Sequence, residues 1–120
     1  MKIIKKIWGK EEWIVNNNIY CFKKLYLNKG FRCSLHTHKI KDETFIIHSG
    51  KIEMEIKSPD QELEIKIMKT GDQVRIIPNV SHRFSGLENS VIYEISTTHM
   101  ETDSYRLINS GKFELKDIIT

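Results

Sequence analysis

The 120-residue chain has two cysteines, two prolines and six glycines, and it lacks any long apolar run. Each scarcity narrows the possibilities. Two cysteines cannot form the disulfide framework of a small secreted scaffold. Cys21 and Cys33 fall in neighbouring expected strands, and two buried or half-buried thiols are the expectation. No segment approaches the roughly 20 apolar residues of a membrane helix. MKIIKKIWGKEEW carries early lysines but no apolar core of signal-peptide length, so a cytoplasmic location is expected. Charge of one sign is nowhere concentrated. The formal net charge is +3, and the densest basic points, Lys5-Lys6 and Lys23-Lys24, are isolated pairs. Nucleic-acid and membrane-surface partners are therefore not expected. Low-complexity segments, internal repeats and linker-like stretches are also missing, so one domain with a single core over residues 1–120, without an appended catalytic or DNA-binding unit, is expected.

What the sequence has in quantity is strand pattern. Runs of four to eight residues with period-two alternation predict strands over Ile3–Ile7, Trp13–Asn16, Ile19–Leu27, Phe31–His36, Thr44–His48, Lys51–Ile56, Glu62–Met68, Gln73–Ile77, His82–Ser85 and Val91–Ser96. Turn residues separate them, among them Asn28-Lys29-Gly30, Ser49-Gly50, Ser58-Pro59-Asp60 and Thr70-Gly71-Asp72. No window has helical periodicity. The expectation is an all-β antiparallel sandwich or closed barrel.

The chemistry concentrates in GFRCSLHTHKIKDETFIIHSG, residues 30–50. In an unbroken strand, Arg32, Ser34, His36 and His38 share one face, which is too polar to be packed core. A turn over Lys39–Asp42 would reverse the chain, and Glu43 would open the next strand of a hairpin, opposite the histidines. In GDQVRIIPNVSHRF, His82 begins a return strand and is the candidate fourth ligand. Three neutral imidazoles and one carboxylate suit a divalent Mn, Fe, Co, Ni or Zn ion and can leave a coordination position for substrate.

These residues resemble the cupin superfamily. Its first motif, G-x5-H-x-H-x3–4-E-x6-G, is met by Gly30, His36, His38, Glu43 and Gly50. Its second, G-x5-P-x-G-x2-H-x3-N, is met in part. Gly71 and His82 are in place, Ile77 stands for the proline, Asn79 for the turn glycine and Gly86 for the final asparagine. Asparagine suits that turn because it tolerates a left-handed conformation. The resemblance implies a double-stranded β-helix, the cupin jelly roll, with His36, His38, Glu43 and His82 as metal ligands.

Trp8-Gly9, Arg32 and Ser34, His82-Arg83, Glu94 and Asp103–Leu107 (DSYRL) are similar to small cupins related to the type II mannose-6-phosphate isomerase domain. His36, His38, Lys41 and Glu43 are similar to the pattern of metal-dependent D-lyxose isomerases. That resemblance implies an aldose–ketose isomerase acting on a small sugar or sugar phosphate. Glu94 and Lys41 are the catalytic candidates, and Arg32 and Ser34 the substrate-binding ones. Alternation alone leaves open whether Tyr93 or Glu94 faces inward, and whether Lys41 is a solvated turn residue or a charge over the pocket. The rival readings are a non-catalytic sugar- or metabolite-binding module and a metal-dependent oxygenase. His48 is expected on the surface and His99 in a loop. Tyr105-Arg106 would fold over the barrel mouth or extend the chain. A homodimer is expected, with Ile3-Ile4 and Trp8 as contributors.

Overall fold

A computed structural model describes residues 1–113. The strands are β1 (Lys2–Lys6), β2 (Gly9–Asn16), β3 (Tyr20–Leu27), β4 (Phe31–Arg32), β5 (Leu35–Thr37), β6 (Glu43–Ser49), β7 (Lys51–Lys57), β8 (Glu64–Lys69), β9 (Gln73–Ile76), β10 (Ser81–Gly86), β11 (Ser90–Thr97), β12 (Tyr105–Ile108) and β13 (Gly111–Lys112). One turn of 3₁₀-helix, Glu101–Asp103, precedes β12. The first sheet runs β1-β2-β3-β11-β6-β9. In the second, β10 pairs with β7 along one edge and with β4 and β5 along the other; β8, β12 and β13 extend it. Every pairing is antiparallel, and the two sheets face each other as the cupin jelly roll. No helix among the described residues is long and apolar enough to cross a membrane.

Alternation explains the layering. Along β3, Cys21, Lys23, Leu25 and Leu27 are buried, while Phe22, Lys24 and Tyr26 lie on the outer side. Side chains two apart share a face, and the register carries that face across the sheet in rows. Glu11, Leu25, Ile92 and Ile47 form one row. The next is Trp13, Lys23, Glu94 and Phe45, and beyond it lie Cys21, Ser96 and Glu43. The interior therefore grades from apolar to charged along the barrel axis. At the apolar end Leu25, Leu27, Ile47, Ile52, Met54 and Ile92 form a closed core with Trp8 and Phe84. Trp8 packs edge-on against Phe84, with ring centroids 5.5 Å apart, so the indole belongs to the core rather than to an exposed dimer surface.

Two expectations about connectivity need correction. The segment after His38 is not a hairpin: β5 lies in the second sheet and β6 in the first, so residues 38–42 cross the barrel. The link from β9 to β10 crosses in the same way, and Asn79 turns it with φ +71°. Ligand residues consequently converge from opposite sheets. The expected strand Phe31–His36 is also interrupted at Cys33-Ser34. Cys33 bonds to Phe84 of β10 through its N–H, while His36 stands opposite His82. Three residues on one strand thus answer two on the other, a bulge that resets the alternation.

Glycine is required where β1 turns into β2. Gly9 has φ +149°, and a Cβ there would lie 1.7 Å from the Tyr26 carbonyl oxygen. Gly30, at φ +83°, has open space around it. Gly30→Ala should cost about 1–2 kcal/mol, the left-handed penalty alone. Gly9→Ala should cost more than that, because the backbone of β2 and β3 must separate. Urea denaturation of the two variants checks the order.

Candidate metal centre

His36, His38 and His82 meet at the open end of the barrel, with one ring nitrogen from each lying within 4.8 Å of the others. Glu43 reaches the cluster from the first sheet, its Oε2 3.3 Å from His82 Nε2 and 3.8 Å from His38 Nε2. The imidazoles are held from behind. His36 Nδ1–H donates to the Ser34 carbonyl at 2.8 Å, and His38 Nδ1–H donates to the Asp103 carbonyl at 2.6 Å. Each bond fixes the tautomer that leaves the Nε2 lone pair facing the cluster.

The chemistry of this set fits a divalent ion. Burial pushes His36 down to about 4 and His82 well below the usual imidazole range; burial also lowers His38, so all three rings are neutral near pH 7. Neutral imidazole is the metal-binding form. Burial, reinforced by Glu94, raises the Glu43 carboxyl well above its usual range despite the opposing charge of Lys41. The contacts between Glu43 and the neutral rings are thus not ion pairs. Glu43 Oε2 and His82 Nε2 are fully buried and have no hydrogen-bond partner among the described residues. Orphaned buried acceptors are costly, and a cation between them would satisfy both and hold Glu43 ionised. His36, His38, Glu43 and His82 are the residues that would hold it.

Asp103, which sequence reasoning placed only in a matching tail, has a central position. Its carboxylate accepts from the N–H groups of Lys39 (2.9 Å), Ile40 (3.2 Å) and Lys41 (3.0 Å), while its carbonyl fixes His38. One buried residue therefore shapes the crossing segment between two candidate ligands. Asn79 N–H adds a bond to the His38 carbonyl at 2.7 Å.

The cluster opens into a cavity of about 390 Å³, near the lower end of small-molecule pockets, which span roughly 300–1,000 Å³. Glu94, not Tyr93, faces inward. Its carboxylate is paired to the Lys41 ammonium and accepts from Ser96 Oγ at 3.2 Å. Burial alone would raise the Glu94 carboxyl, but Lys41 and Lys23 outweigh it and hold it at about 2. Lys41 is not a solvated turn residue. It is 2% exposed, lies 3.8 Å from Glu43 Oε1 and contacts His99 Nδ1 at 3.0 Å. Burial opposes its charge, yet Glu94 and Glu43 raise its pKa.

Ser34 lines the cavity, and its carbonyl serves His36. Arg32 does not share that face. It stands opposite Ser85 on the outer side of the second sheet, 5.5 Å from the Phe113 ring, and is not among the cavity-lining residues. The bulge at Cys33-Ser34 is the reason, because it separates Arg32 from the alternation that governs His36. His99 was expected only as loop, yet it lines the cavity. Trp13, Lys23 and Glu11 do too, all from β2 and β3. A lysine alternating with Cys21 and Leu25 in an apolar row was the available signal for Lys23. His48 is exposed and stacks on Tyr93. Arg106 of β12 borders the mouth. Cys21 and Cys33 are buried free thiols, and burial pushes Cys33 up to about 12.

Asp103→Asn removes the charge and one acceptor oxygen from the crossing segment. Affinity for a divalent ion should fall by roughly 10- to 100-fold, as read by competition with a chromophoric chelator. Unchanged affinity would show that the Asp103 carboxylate does not set the crossing segment between His38 and Glu43 for metal binding.

No family model and no curated protein matches the chain. Solved structures do. KdgF from Halomonas sp. aligns with TM-score 0.68 and 15% identity over 78% of this chain and 81% of its own. Oxalate decarboxylase from Bacillus subtilis aligns with TM-score 0.78 and 16% identity over 88% of this chain. The Lactobacillus farciminis oxalate decarboxylase formate complex gives 0.76 and 15% over the same share. The chain spans 30% and 33% of the length of those two decarboxylase chains. At such identities the likeness is one of fold, and that fold is the cupin jelly roll.

Proposed function

We propose that the protein is a metal-dependent aldose–ketose isomerase acting on a small sugar or sugar phosphate. The observation that carries this reading is the Lys41–Glu94 pair. A buried carboxylate that is not a candidate ligand faces the cavity beside the histidine cluster, and its lysine partner also reaches Glu43. Isomerisation between C1 and C2 of a sugar needs a base that moves a carbon-bound proton and an acid that serves the oxygens.

A divalent ion held by His36, His38, Glu43 and His82 would supply Lewis-acid stabilisation of negative charge developing on the substrate oxygens. Glu94, ionised at neutral pH, would take the C2 proton of an aldose, and that electron pair forms the C1–C2 double bond. The carbonyl pair moves onto O1, which takes a proton from Lys41. The O2 hydroxyl then returns a proton to Lys41 as the C2 carbonyl forms, and Glu94 delivers its proton to C1. Both residues end as they began. His99 and Ser96 would hold Lys41 and Glu94 in place.

Glu94→Gln should keep the metal stoichiometry of the wild type and lower turnover by roughly 10²- to 10⁴-fold, the usual weight of a positioned acid or base. The assay is a panel of aldoses, with and without phosphate, followed by NMR in D₂O for ketose and for deuterium at C1 or C2. Full activity in Glu94→Gln removes Glu94 from the reaction. Neither ketose nor deuterium exchange with metal-loaded wild type would refute the isomerase reading.

A further inference from the structure

The half of the cavity away from the histidines contains a charge that the isomerase reading does not use. Lys23 is 2% exposed, in the middle of β3, with its side chain in the interior row between Trp13 and Glu94. Burying an ammonium is costly unless its three N–H donors are met. Lys41 nearby is well met, by Glu94, Glu43 and His99. Among the described residues Lys23 has one polar contact, Glu11 Oε1 at 3.5 Å, the outer limit of a hydrogen bond. Its other neighbour is the Trp13 ring, 4.2 Å from Nζ to the centroid.

Glu11 does not fully compensate it. The same carboxylate accepts from Trp13 Nε1–H at 2.8 Å and lies 3.9 Å from Lys6 Nζ. One carboxylate is thus divided between two ammoniums and an indole, and no other lies within ion-pair distance of Lys23 among the described residues. Arg106 also borders the mouth, but from the second sheet, paired in register with His36 on the histidine side. The wall facing the three histidines therefore carries a desolvated ammonium with few hydrogen-bond partners, where hydrogen bonds to an anion are strongest.

We infer that Lys23, with Lys6 at the rim, binds an anionic group of the substrate, a carboxylate or a phosphate, while the other end of the same molecule lies at the histidine cluster. The substrate class is then an anionic sugar: a sugar acid or a sugar phosphate rather than a neutral one. This inference rests on the isomerase reading for the word sugar, and on the geometry of Lys23 for the anion. It also relocates the substrate contact that sequence reasoning gave to Arg32, which lies on the outer face.

The test titrates metal-loaded full-length protein calorimetrically with glycerol, glycerol 3-phosphate and glycerate, which share a three-carbon skeleton and leave sugar stereochemistry aside. At least one anion should bind about tenfold or more tightly than glycerol, the scale of a charge-assisted contact. Preference for the phosphate or for the carboxylate identifies which group the wall takes. Lys23→Met, of similar length and apolar, should abolish the preference with metal content unchanged. Lys6→Ala, altered only at the rim, should reduce it and guards against a folding defect in Lys23→Met. Equal binding of all three probes, or no binding of either anion, would overturn the proposal. So would a preference that survives both substitutions, because the metal would then be the anion's partner. The outcome is separable from that of the isomerase test: anion preference without turnover retains the subsite and refutes the isomerase, and turnover of neutral sugars without anion preference does the reverse.

Discussion

Burial of Glu43 is the constraint on which the rest of the site depends. A carboxylate 2% exposed, faced by three imidazoles that burial keeps neutral, has one cation near it among the described residues, Lys41. Lys41 stops 3.8 Å short and is already engaged by Glu94. Such a group either protonates or takes a metal ion, because the cost of an isolated buried charge is large. The surrounding architecture favours the second course. The Ser34 and Asp103 carbonyls orient two rings so that their lone pairs converge, and the Asp103 carboxylate fixes the segment joining His38 to Glu43. Protonation of Glu43 would need none of this.

The same barrel gives the chemistry two walls. Histidine ligand candidates from β5 and β10 occupy the second sheet, and the row Trp13, Lys23, Glu94 and Phe45 crosses the first beside Glu43. Antiparallel register makes this possible without loops, since Lys23 and Glu94 lie across from each other on neighbouring strands and project from the same face. Leu25, Ile92 and Ile47 close the barrel one row below, which keeps the charged groups in a cavity of fixed depth. A substrate that spans the cavity would meet the histidine cluster at one side and ammonium groups at the other.

Much of the fold was legible because period-two alternation is a direct imprint of a half-buried sheet. β3, β6, β7, β10 and β11 fall within a residue or two of their expected bounds, and the H-x-H spacing brought His36 and His38 together as read. Three kinds of feature escaped. The break at Cys33-Ser34 is invisible to alternation, and it moved Arg32 to the outer face. The sheet assignment of consecutive strands is a tertiary property, so crossings looked like hairpins. β12 and β13 have fully or largely exposed residues and no apolar periodicity to betray them. Lys23, His99 and Asp103 were missed for a related reason: their roles come from partners 12 to 65 residues away in sequence.

The central claim is that the cluster holds a metal, and metal content tests it most directly. Tag-free protein should be analysed by inductively coupled plasma mass spectrometry beside His38→Ala. One divalent ion per chain, lost in the variant, is the result this account predicts. A wild-type protein that holds none, even after incubation with Mn, Fe, Co, Ni and Zn, would contradict it.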